Sequence, residues 1–273
     1  MGNTFQTTKP STEIALFNSS YSVLDKLGAG GFGQVYLGLD NRTSNNIVIK
    51  TIKKKHVSNL DIIDSTLVPR EVKIMSQLSH PNIIAIHDFF NLHKHFVLII
   101  DYIPGSLDLF DYLTVHNKLS ESKAKTIFKQ IMLALDYLHT ECQVAHLDIK
   151  PENILITPST LQIKLIDFGA ANYITSEEHL DFDGTRQYAC PEILQHQHYK
   201  PVATDLWACG VTLYTMLMGH FPFFSTEDYY KELRITRAVP VLCEHVIRML
   251  LCRQQGLRPV TVKEVLKFPW LRM

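Results

Sequence analysis

The sequence lacks a net charge, cysteine-pair motifs and an apolar leader. Of its 273 residues, 27 are Lys or Arg and 27 are Asp or Glu, so the formal net charge is 0. Because the net charge is zero, the chain as a whole creates no electrostatic field that would attract nucleic acid or anionic lipid. We therefore expect neither nucleic-acid nor membrane partners. The five cysteines form no C-x-x-C pair, which argues against a disulfide framework or a zinc site and favours a reducing cytoplasmic or nuclear location.

Residues 1–20 contain no apolar stretch of the kind that a secretory signal needs. Gly2 invites comparison with a myristoylation motif, but Gln6 stands where that motif has Ser or Thr. We therefore expect a floppy polar leader, and we expect no autoinhibitory tail or docking domain after Met273.

One uncharged run approaches the length of a membrane span. Residues 206–226 contain no Asp, Glu, Lys or Arg. Polar residues such as Thr212 and His220 interrupt the run, and no positive cluster flanks it. A helix buried on all sides of a protein core has the same composition, and this is the preferred interpretation.

The periodicity of the apolar residues changes along the chain. Residues 21–53 alternate in short runs broken by GAGGFG and NRTSNN, which predicts hairpin-linked strands. A helix is predicted within 65–79, and strand-like runs follow at 83–90 and 95–101. After a join at 101–106 the predicted helices cover 107–115, 120–140, 204–219, 226–237, 240–252 and 261–267. The sequence thus predicts a small strand-rich lobe followed by a larger helical lobe.

A glycine-rich turn lies between the first two predicted strands. Gly28, Gly30, Gly33 and Val35 match G-x-G-x-x-G-x-V, whose glycines let backbone N–H groups approach phosphate oxygens. A dinucleotide-binding version would run from strand into helix, whereas this one joins two strands. That arrangement favours a phosphate-covering hairpin, although a glycine-rich hairpin without a ligand is also common.

Lys50 ends an apolar strand and shares a face with Val48. A lysine there is costly to bury without an anionic partner, and a snorkelling surface lysine is the simpler alternative. Glu71, on the predicted helix that follows, offers that partner. A Lys–Glu pair would aim the ammonium at nucleotide phosphates.

The most informative segment is His146-Leu147-Asp148-Ile149-Lys150-Pro151-Glu152-Asn153, followed later by Asp167-Phe168-Gly169. Two acids and an amide at these spacings supply oxygen ligands for magnesium and a carboxylate that can meet a substrate hydroxyl. Together these motifs resemble a eukaryotic-type protein kinase domain over residues 21–271.

This resemblance implies an α+β, two-lobed protein-kinase-like fold. Residues 21–100 would form an N-lobe of antiparallel sheet plus one helix, residues 101–106 a hinge, and residues 107–271 a mainly helical C-lobe, preceded by a leader at 1–20. It also implies a monomer that uses ATP and Mg²⁺ on protein substrates with Ser or Thr acceptors.

Site residues carry over position by position. Asp148 is similar to the catalytic base, Lys150 to the serine/threonine-type loop lysine, and Lys50 and Glu71 to the ion pair that positions phosphates. Asn153 and Asp167 are similar to the magnesium ligands. The nucleotide would contact Leu27, Gly28, Ala29, Gly30, Gly31, Phe32, Gly33, Val35, Val48, Lys50, Asp101, Ile103 and Leu155.

The same resemblance extends to the structural motifs of the C-lobe. Cys190 replaces the alanine of an A-P-E motif, and Glu192 would pair with Arg258. Asp205 opens the uncharged run as the start of a buried helix. A stacked spine of Met75, Ile86, His146 and Phe168 is implied as well. Cys190 has two interpretations, a redox residue or an apolar substitute for alanine, and the second is preferred.

Leu147 occupies the arginine position of H-R-D, so the chain resembles a non-RD kinase. The activation segment runs through residues 173–183 and closes at the A-P-E motif. A leucine cannot hold a phosphate, which predicts activity that does not depend on a phosphate of this segment docking at residue 147.

Residues 96–99 and 181–188 resemble the Pim-type branch of the calmodulin-dependent kinase group. Glu152, with Asp108 and Asp111, would then bind basic residues before the acceptor. Alternatively, Glu152 is solvated and the two aspartates cap a helix. Arg258 lies 35 positions after Phe223, and this separation is short for the family.

Three functional classes stay open at this point. The first is an active serine/threonine kinase, and the second is a kinase-shaped scaffold without turnover. The third is a small-molecule phosphotransferase. Degenerate scaffolds lose the lysine, the base or a metal ligand, and this chain keeps all of them, which favours the active kinase.

Overall fold

The computed structural model describes residues 10–30, 33–63, 65–175, 177–225, 228–229 and 231–272. The chain divides into two compact units. The first unit comprises Met1–Ser79 and Ile84–Pro104, and the second comprises His80–Ile83 and Gly105–Met273. Within the described ranges, no helix combines the length and hydropathy needed to cross a bilayer.

An antiparallel sheet dominates the first unit. Its strands in chain order are β1 (Tyr21–Gly30), β2 (Gly33–Asp40), β3 (Asn45–Lys53), β4 (Leu60–Ile63), β5 (Thr66–Pro69), β6 (Ile86–Asn91) and β7 (His95–Asp101). Five of these form one sheet in the order β1-β2-β3-β7-β6, and β4 pairs with β5 separately. One face of the larger sheet buries the cluster Tyr21, Ile47, Ile49, Phe90, Val97 and Ile99. The predicted meander of hairpin-linked strands is confirmed.

The described part of the leader is a helix, α1 (Pro10–Ser20), so the prediction of a floppy leader is wrong there. Phe17 packs edge-on against Phe90, with ring centroids 5.3 Å apart. Glu13 is buried and accepts a hydrogen bond from the backbone N–H of Asn91. These contacts with the sheet fix a segment whose composition alone indicated no structure. Residues 1–9 lie outside the described residues.

The helix predicted within 65–79 is shorter than expected. It is α2 (Arg70–Met75), and the β4–β5 hairpin precedes it. Pro69 disfavours helical backbone at the residue before it and itself has φ −55° and ψ 141°, so the chain stays extended up to Arg70. The helix nevertheless buries Glu71, Val72, Ile74 and Met75.

The second unit is mainly helical. Its helices are α3 (Leu109–His116), α4 (Glu121–Thr140), α5 (Pro191–Leu194), α6 (Pro201–Met218), α7 (Val241–Leu250), α8 (Val262–Leu266) and α9 (Pro269–Arg272). Its short strands are β8 (Leu107–Asp108), β9 (Val144–Ala145), β10 (Ile154–Thr157), β11 (Gln162–Leu165) and β12 (Asn172–Tyr173). They form two small sheets, β11-β10-β8 and β12-β9.

Two long helices form the centre of this unit. The Ser120 side chain caps α4 by accepting the N–H of Lys123. Nearly every residue of α6 is buried, and Gly219 ends the helix with a left-handed φ of 77°. The uncharged run is thus a buried helix over most of its length, as the preferred interpretation predicted.

The helix predicted over 226–237 does not form in its described part. From Leu233 to Arg237, half-buried and exposed side chains alternate, which is the pattern of extended backbone. The carbonyl of Leu233 accepts from Arg248, and that of Arg234 accepts from the Tyr214 hydroxyl. Arg248 and Tyr214 thus donate to carbonyl groups that would accept backbone N–H groups if this segment were a helix.

Candidate active site

A buried aspartate fixes the loop that carries Asp148. Asp205, on α6, is fully buried and accepts the backbone N–H of His146 at 2.9 Å and of Leu147 at 2.7 Å. Its Oδ2 also lies 2.7 Å from Nε2 of His139. Leu147 has a left-handed φ of 60°, which is unfavourable for a leucine. The two bonds to Asp205 hold the loop in that conformation.

The Asp148 carboxylate is the centre of a polar cluster. Its Oδ1 accepts the backbone N–H of Thr185 at 2.8 Å. Its Oδ2 accepts the Asn153 amide at 2.8 Å and lies 2.8 Å from the Lys150 ammonium, which also donates to the Thr185 hydroxyl at 2.6 Å. Burial alone would raise the pKa of Asp148, but the hydrogen bonds from Lys150 and Thr185 outweigh it and lower the pKa below its ordinary value. Asp148 is therefore ionised at neutral pH.

Asn153 and Asp167 present oxygen atoms suited to magnesium. The Asn153 Nδ2 donates to both the carbonyl and the carboxylate of Asp148, which orients the amide so that Oδ1 accepts no hydrogen bond among the described residues. The N–H of Ile166 donates to the Asn153 carbonyl at 2.9 Å, which brings the chain before Asp167 beside Asn153.

This donor set fits Mg²⁺ better than a protein-only metal cage. Among the described residues, no group of three or more His, Cys, Asp or Glu could hold a metal ion. Magnesium usually takes one or two protein carboxylates and completes its shell with water and substrate phosphates. An amide and a carboxylate oxygen match that pattern.

The predicted Lys50–Glu71 ion pair is present in the first unit. The Lys50 ammonium lies 2.6 Å from Glu71 Oε1, and Glu71 is 7% exposed. Lys50 pairs with Val35 across β2 and β3, and Val48 lies two residues before it, so these three side chains share one face of the sheet. The buried cluster of Ile47 and Ile49 occupies the opposite face.

The glycine-rich hairpin is placed by the pairing of β1 with β2, which extends to Gly30 opposite Gly33. The first strand carries Leu27, Gly28, Ala29 and Gly30, and the second carries Gly33 and Val35. A Cβ on Gly33 would lie 1.6 Å from the carbonyl oxygen of Thr51, so only glycine fits. A Cβ on Gly28 would meet no atom within 4 Å, which leaves this backbone open to a ligand. The predicted contacts Gly31 and Phe32 lie outside the described residues.

The remaining predicted nucleotide contacts belong to separate units. Asp101 ends β7, where its N–H donates to the Ala85 carbonyl at 3.1 Å and its carboxylate lies 2.7 Å from His87 Nε2. Ile103 follows in the same unit and is half-buried. Leu155 is half-buried on β10 of the second unit. Their contact with adenine stays a prediction.

The implied spine residues are buried in each unit. Met75 and Ile86 are 3% and 4% exposed in the first unit. In the second, the rings of His146 and Phe168 lie 4.8 Å apart, and Phe168 is fully buried.

Leu147 lies in an apolar cluster instead of a phosphate site. Ala145, Leu147 and Tyr199 form the buried cluster, and Ile174 and Phe182 of the activation segment pack against it. A Cβ on Gly184 would lie 2.2 Å from the Leu147 carbonyl oxygen, so this glycine permits the segment to approach the loop closely. Apolar packing thus holds Ile174 and Phe182 against the loop that carries Leu147.

We expect Thr175→Ala to leave turnover unchanged, because apolar packing and backbone pairing already hold the activation segment. His179 and Tyr199 exchange backbone hydrogen bonds at 3.0 and 2.9 Å. The test compares the turnover of the wild-type protein, the Thr175→Ala variant and a Ser176→Ala variant, all made in a host without kinases. Ser176 lies outside the described residues. A collapse of activity in the variants would show that a phosphate is needed.

The predicted pair of Glu192 and Arg258 is present and buried. Two parallel bonds of 2.6 and 2.7 Å join the guanidinium to the carboxylate. The guanidinium also donates to the Cys252 carbonyl at 2.7 Å and lies 4.8 Å from the centre of the Trp207 ring. This geometry joins the end of the activation segment to the core of the second unit.

Glu192→Ala is expected to destabilise the protein by about 3–5 kcal/mol, because it leaves the Arg258 guanidinium buried without its carboxylate. Chemical denaturation monitored by circular dichroism measures the loss. Glu244→Ala is the matched control, since its pair with Arg248 is 2.8 Å long but about a third exposed, and should cost less than about 1 kcal/mol. Equal losses in both variants would contradict this interpretation.

Cys190 packs as a small apolar residue. It is fully buried, and burial followed by the charge of Glu192 raises its pKa to about 12. A thiol with so high a pKa is a poor nucleophile, so the apolar interpretation holds.

Thr185 is a site residue that the sequence reasoning missed. Its N–H and hydroxyl bridge Asp148 and Lys150, although it lies 37 residues beyond the aspartate. The available signal was a hydroxyl residue directly after Gly184, the glycine that allows the close approach.

Comparison with known proteins agrees with the motifs. Residues 21–271 match the protein kinase domain family. The chain is 35% identical over 260 residues to a probable serine/threonine-protein kinase MARK-A of Dictyostelium discoideum, covering 92% of this chain and 24% of that protein. It is 31% identical over 258 residues to sucrose non-fermenting protein kinase 1 of Fusarium virguliforme, covering 92% and 36%.

A third relative is the serine/threonine-protein kinase PSK2 of Saccharomyces cerevisiae, 33% identical over 270 residues and covering 93% of this chain and 24% of that protein. The chain thus spans between about a quarter and about a third of the length of these relatives. The match over nearly the whole chain, together with the geometry of the Asp148 loop, establishes that the chain belongs to the protein kinase domain family.

Proposed function

We propose that this chain is a serine/threonine protein kinase that transfers the γ-phosphoryl group of ATP to hydroxyls of protein substrates. The observation that carries the proposal is the position of the Asp148 carboxylate, which Thr185, Lys150 and Asn153 hold by hydrogen bonds and an ion pair. A fixed carboxylate with a lowered pKa can orient a hydroxyl and accept its proton as the phosphoryl group moves. The serine/threonine assignment is supported by Lys150 and by the names of the relatives.

Charge neutralisation completes the chemistry in the second unit. Lys150 would neutralise charge on the moving phosphoryl group, and Asn153 and Asp167 would hold Mg²⁺. The ion, when bound, would neutralise phosphate oxygens. Because the transition state of phosphoryl transfer is loose, such positioning and electrostatics supply most of the catalysis.

The first unit would hold the triphosphate. The pair with Glu71 orients the Lys50 ammonium toward the α and β phosphates. The open space beside Gly28 would let phosphate oxygens approach the backbone of the hairpin. Val35 and Val48, on the same sheet face as Lys50, would pack against the base.

The test is transfer from magnesium-ATP to three peptides that differ only in having Ser, Thr or Tyr as the acceptor. Phosphorylation of the Ser and Thr peptides but not the Tyr peptide is expected. Absence of transfer to all three would favour the kinase-shaped scaffold. Transfer to Tyr alone would contradict the serine/threonine assignment.

We also propose that the kinase prefers basic residues before the acceptor. Glu152 is exposed on the 3₁₀ helix Pro151–Asn153. Burial, then the charges of Glu152 and Asp148, raises the pKa of Tyr188, so both carboxylates lie near the Tyr188 ring. Asp108 instead caps α3 by accepting the N–H of Asp111 at 2.7 Å, which fits its capping interpretation. Glu152 is therefore the principal candidate for binding a substrate arginine.

Glu152→Gln should reduce the preference for an arginine-containing peptide over its alanine-substituted twin by about tenfold, the value of a charged hydrogen bond. Ratios of kcat/KM for the two peptides measure the preference. Glu141→Gln makes the same change at an exposed carboxylate of the same unit and should leave the preference unchanged. An unchanged ratio in the Glu152 variant would remove this residue from the binding site.

Placement in the calmodulin-dependent kinase group, near the Pim type, is a finer proposal. It is supported by the sequence of residues 181–188, in which Phe182 packs against the Leu147 cluster and Gly184 approaches the Leu147 carbonyl. Two further serine peptides, with several basic or several acidic residues before the acceptor, test this placement. A marked preference for the basic peptide would agree with it, and a preference for the acidic peptide would contradict it.

A further inference from the structure

The chain contains an acceptor of the kind that its own proposed specificity selects. Lys53, Lys54 and Lys55 are consecutive, His56 follows, and Ser58 stands three residues after Lys55. The side chains of Lys53, Lys55, His56 and Ser58 are exposed. We propose that Ser58 is a phosphorylation site modified by a second copy of this chain, an inference that rests on the proposed preference for basic residues.

The backbone around Ser58 can adopt the conformation that a bound peptide needs. Residues 57–59 belong to neither a helix nor a strand. The preceding 3₁₀ helix, Lys54–His56, has no buried residue and no side-chain cap. Lys53 pairs with His95 in the sheet, and the Lys54 N–H donates to the Lys94 carbonyl at 3.1 Å. Beyond these contacts the single turn opens at little cost, so Lys55 and Ser58 can extend together into a substrate groove.

Four other hydroxyls have a basic residue three positions before them, and each is held in or at a helix. They are Thr12, Ser76, Thr126 and Thr261. Thr12 lies in α1, and Thr126 lies within α4 with its hydroxyl bonded to the Ser122 carbonyl. Ser76 follows α2 with its hydroxyl bonded to the Lys73 carbonyl, and Thr261 caps α8. Ser58 combines exposure, non-helical backbone and upstream lysines.

The step balances as an ordinary phosphoryl transfer. The Ser58 Oγ of one copy attacks the γ phosphorus of ATP bound to the other copy. The bond between the γ phosphorus and its bridging oxygen breaks, and ADP leaves with that electron pair. Asp148 of the second copy accepts the hydroxyl proton and releases it to solvent.

Ser58 lies in the segment that connects the two elements of the Lys50–Glu71 ion pair. It lies between β3, which carries Lys50, and α2, which carries Glu71. The neighbouring Asn59 carbonyl accepts the N–H of Arg70, the first residue of α2, at 3.0 Å. A phosphate would therefore add about two negative charges to the segment that joins the two halves of the Lys50–Glu71 pair.

The test uses the 273-residue chain with Asp148→Asn, which supplies the acceptor with little turnover of its own, and a trace of active wild-type chain with magnesium-ATP. Mass spectrometry then measures phosphate at Ser58. A reference peptide with arginines before its serine, and its alanine-substituted twin, are assayed in parallel. We expect phosphate at Ser58 of the inactive protein, and at least tenfold less when Lys53 and Lys55 are both changed to Ala.

Control variants separate this site from general surface modification. In the inactive background, Ser58→Ala should remove most of the incorporated phosphate. Ser65→Ala should not, because Ser65 is exposed at the turn of the β4–β5 hairpin but follows no basic residue within five positions.

The outcomes distinguish this inference from the proposed function. If the reference peptide is phosphorylated in preference to its twin but Ser58 is not, the Ser58 proposal alone is overturned. If neither peptide nor Ser58 is phosphorylated, the proposed function falls together with the inference. Phosphate at Ser58 that persists without Lys53 and Lys55 would overturn recognition by the upstream lysines.

Discussion

Asp148→Asn is expected to lower turnover by about 10²- to 10⁴-fold. The wild-type carboxylate accepts three hydrogen bonds, from Thr185, Asn153 and Lys150. An amide of the same shape has only one oxygen, so its NH₂ group must face a donor, and it cannot take a proton from the substrate hydroxyl. The loss of the base and the disturbed hydrogen bonds of the cluster both lower turnover.

The measurement is kcat on a serine peptide at saturating magnesium-ATP, with a thermal melt of each protein to establish folding. Glu141→Gln makes the equivalent carboxylate-to-amide change at an exposed residue outside the site and should retain full turnover. A folded Asp148→Asn protein with wild-type turnover would remove Asp148 as the base.

Lys50→Met is expected to lower turnover by about 10²- to 10³-fold, as is typical for the loss of one electrostatic contact to a reacting group. Methionine keeps much of the length and apolar character of the lysine stem, so the sheet face shared with Val35 and Val48 stays packed. The ammonium, and with it the 2.6 Å bond to Glu71, is lost.

Turnover and the KM for ATP should both be measured for this variant. Lys94→Met is the matched control, because the side chain of Lys94 is exposed in the turn between β6 and β7. A Lys50→Met protein that melts like the wild type and turns over normally would exclude Lys50 from the chemistry.

The strand periodicity and the motif spacing were sufficient to predict much of this architecture. The alternation in residues 21–53 has period two, and a hairpin-linked sheet is the structure with that period. The predicted pair of Lys50 with Glu71 depends on a lysine charge that cannot be buried alone, so that charge indicates its partner. The pair of Glu192 with Arg258 was predicted from the family resemblance.

Features that depend on tertiary contacts were not predictable in the same way. Helix α1 is ordered by Phe17 on the ring of Phe90, which lies 73 residues further along the chain. In the described part of 226–237, carbonyls bond to Tyr214 and Arg248 rather than to a helix of their own. No local sequence pattern identifies contact partners that lie so far away in the sequence.

The β4–β5 hairpin shows how a local signal can be outweighed. The apolar spacing of residues 65–79 fits a helix, but Val68 precedes a proline and is confined to extended backbone. Strand pairing of Ile62 with Leu67 then completes a hairpin, and the helix begins only at Arg70. The Pro69 rule was readable from the sequence, but the pairing partner was not.

The proposal that the Asp148 cluster transfers a phosphoryl group is tested most directly by following labelled phosphate from magnesium-ATP to a serine peptide. Wild-type protein should label the peptide, and either a chelator of Mg²⁺ or the Asp148→Asn substitution should remove nearly all of the label. Labelling by the Asp148→Asn protein at the wild-type rate, or no labelling by folded wild-type protein, would contradict the proposed mechanism.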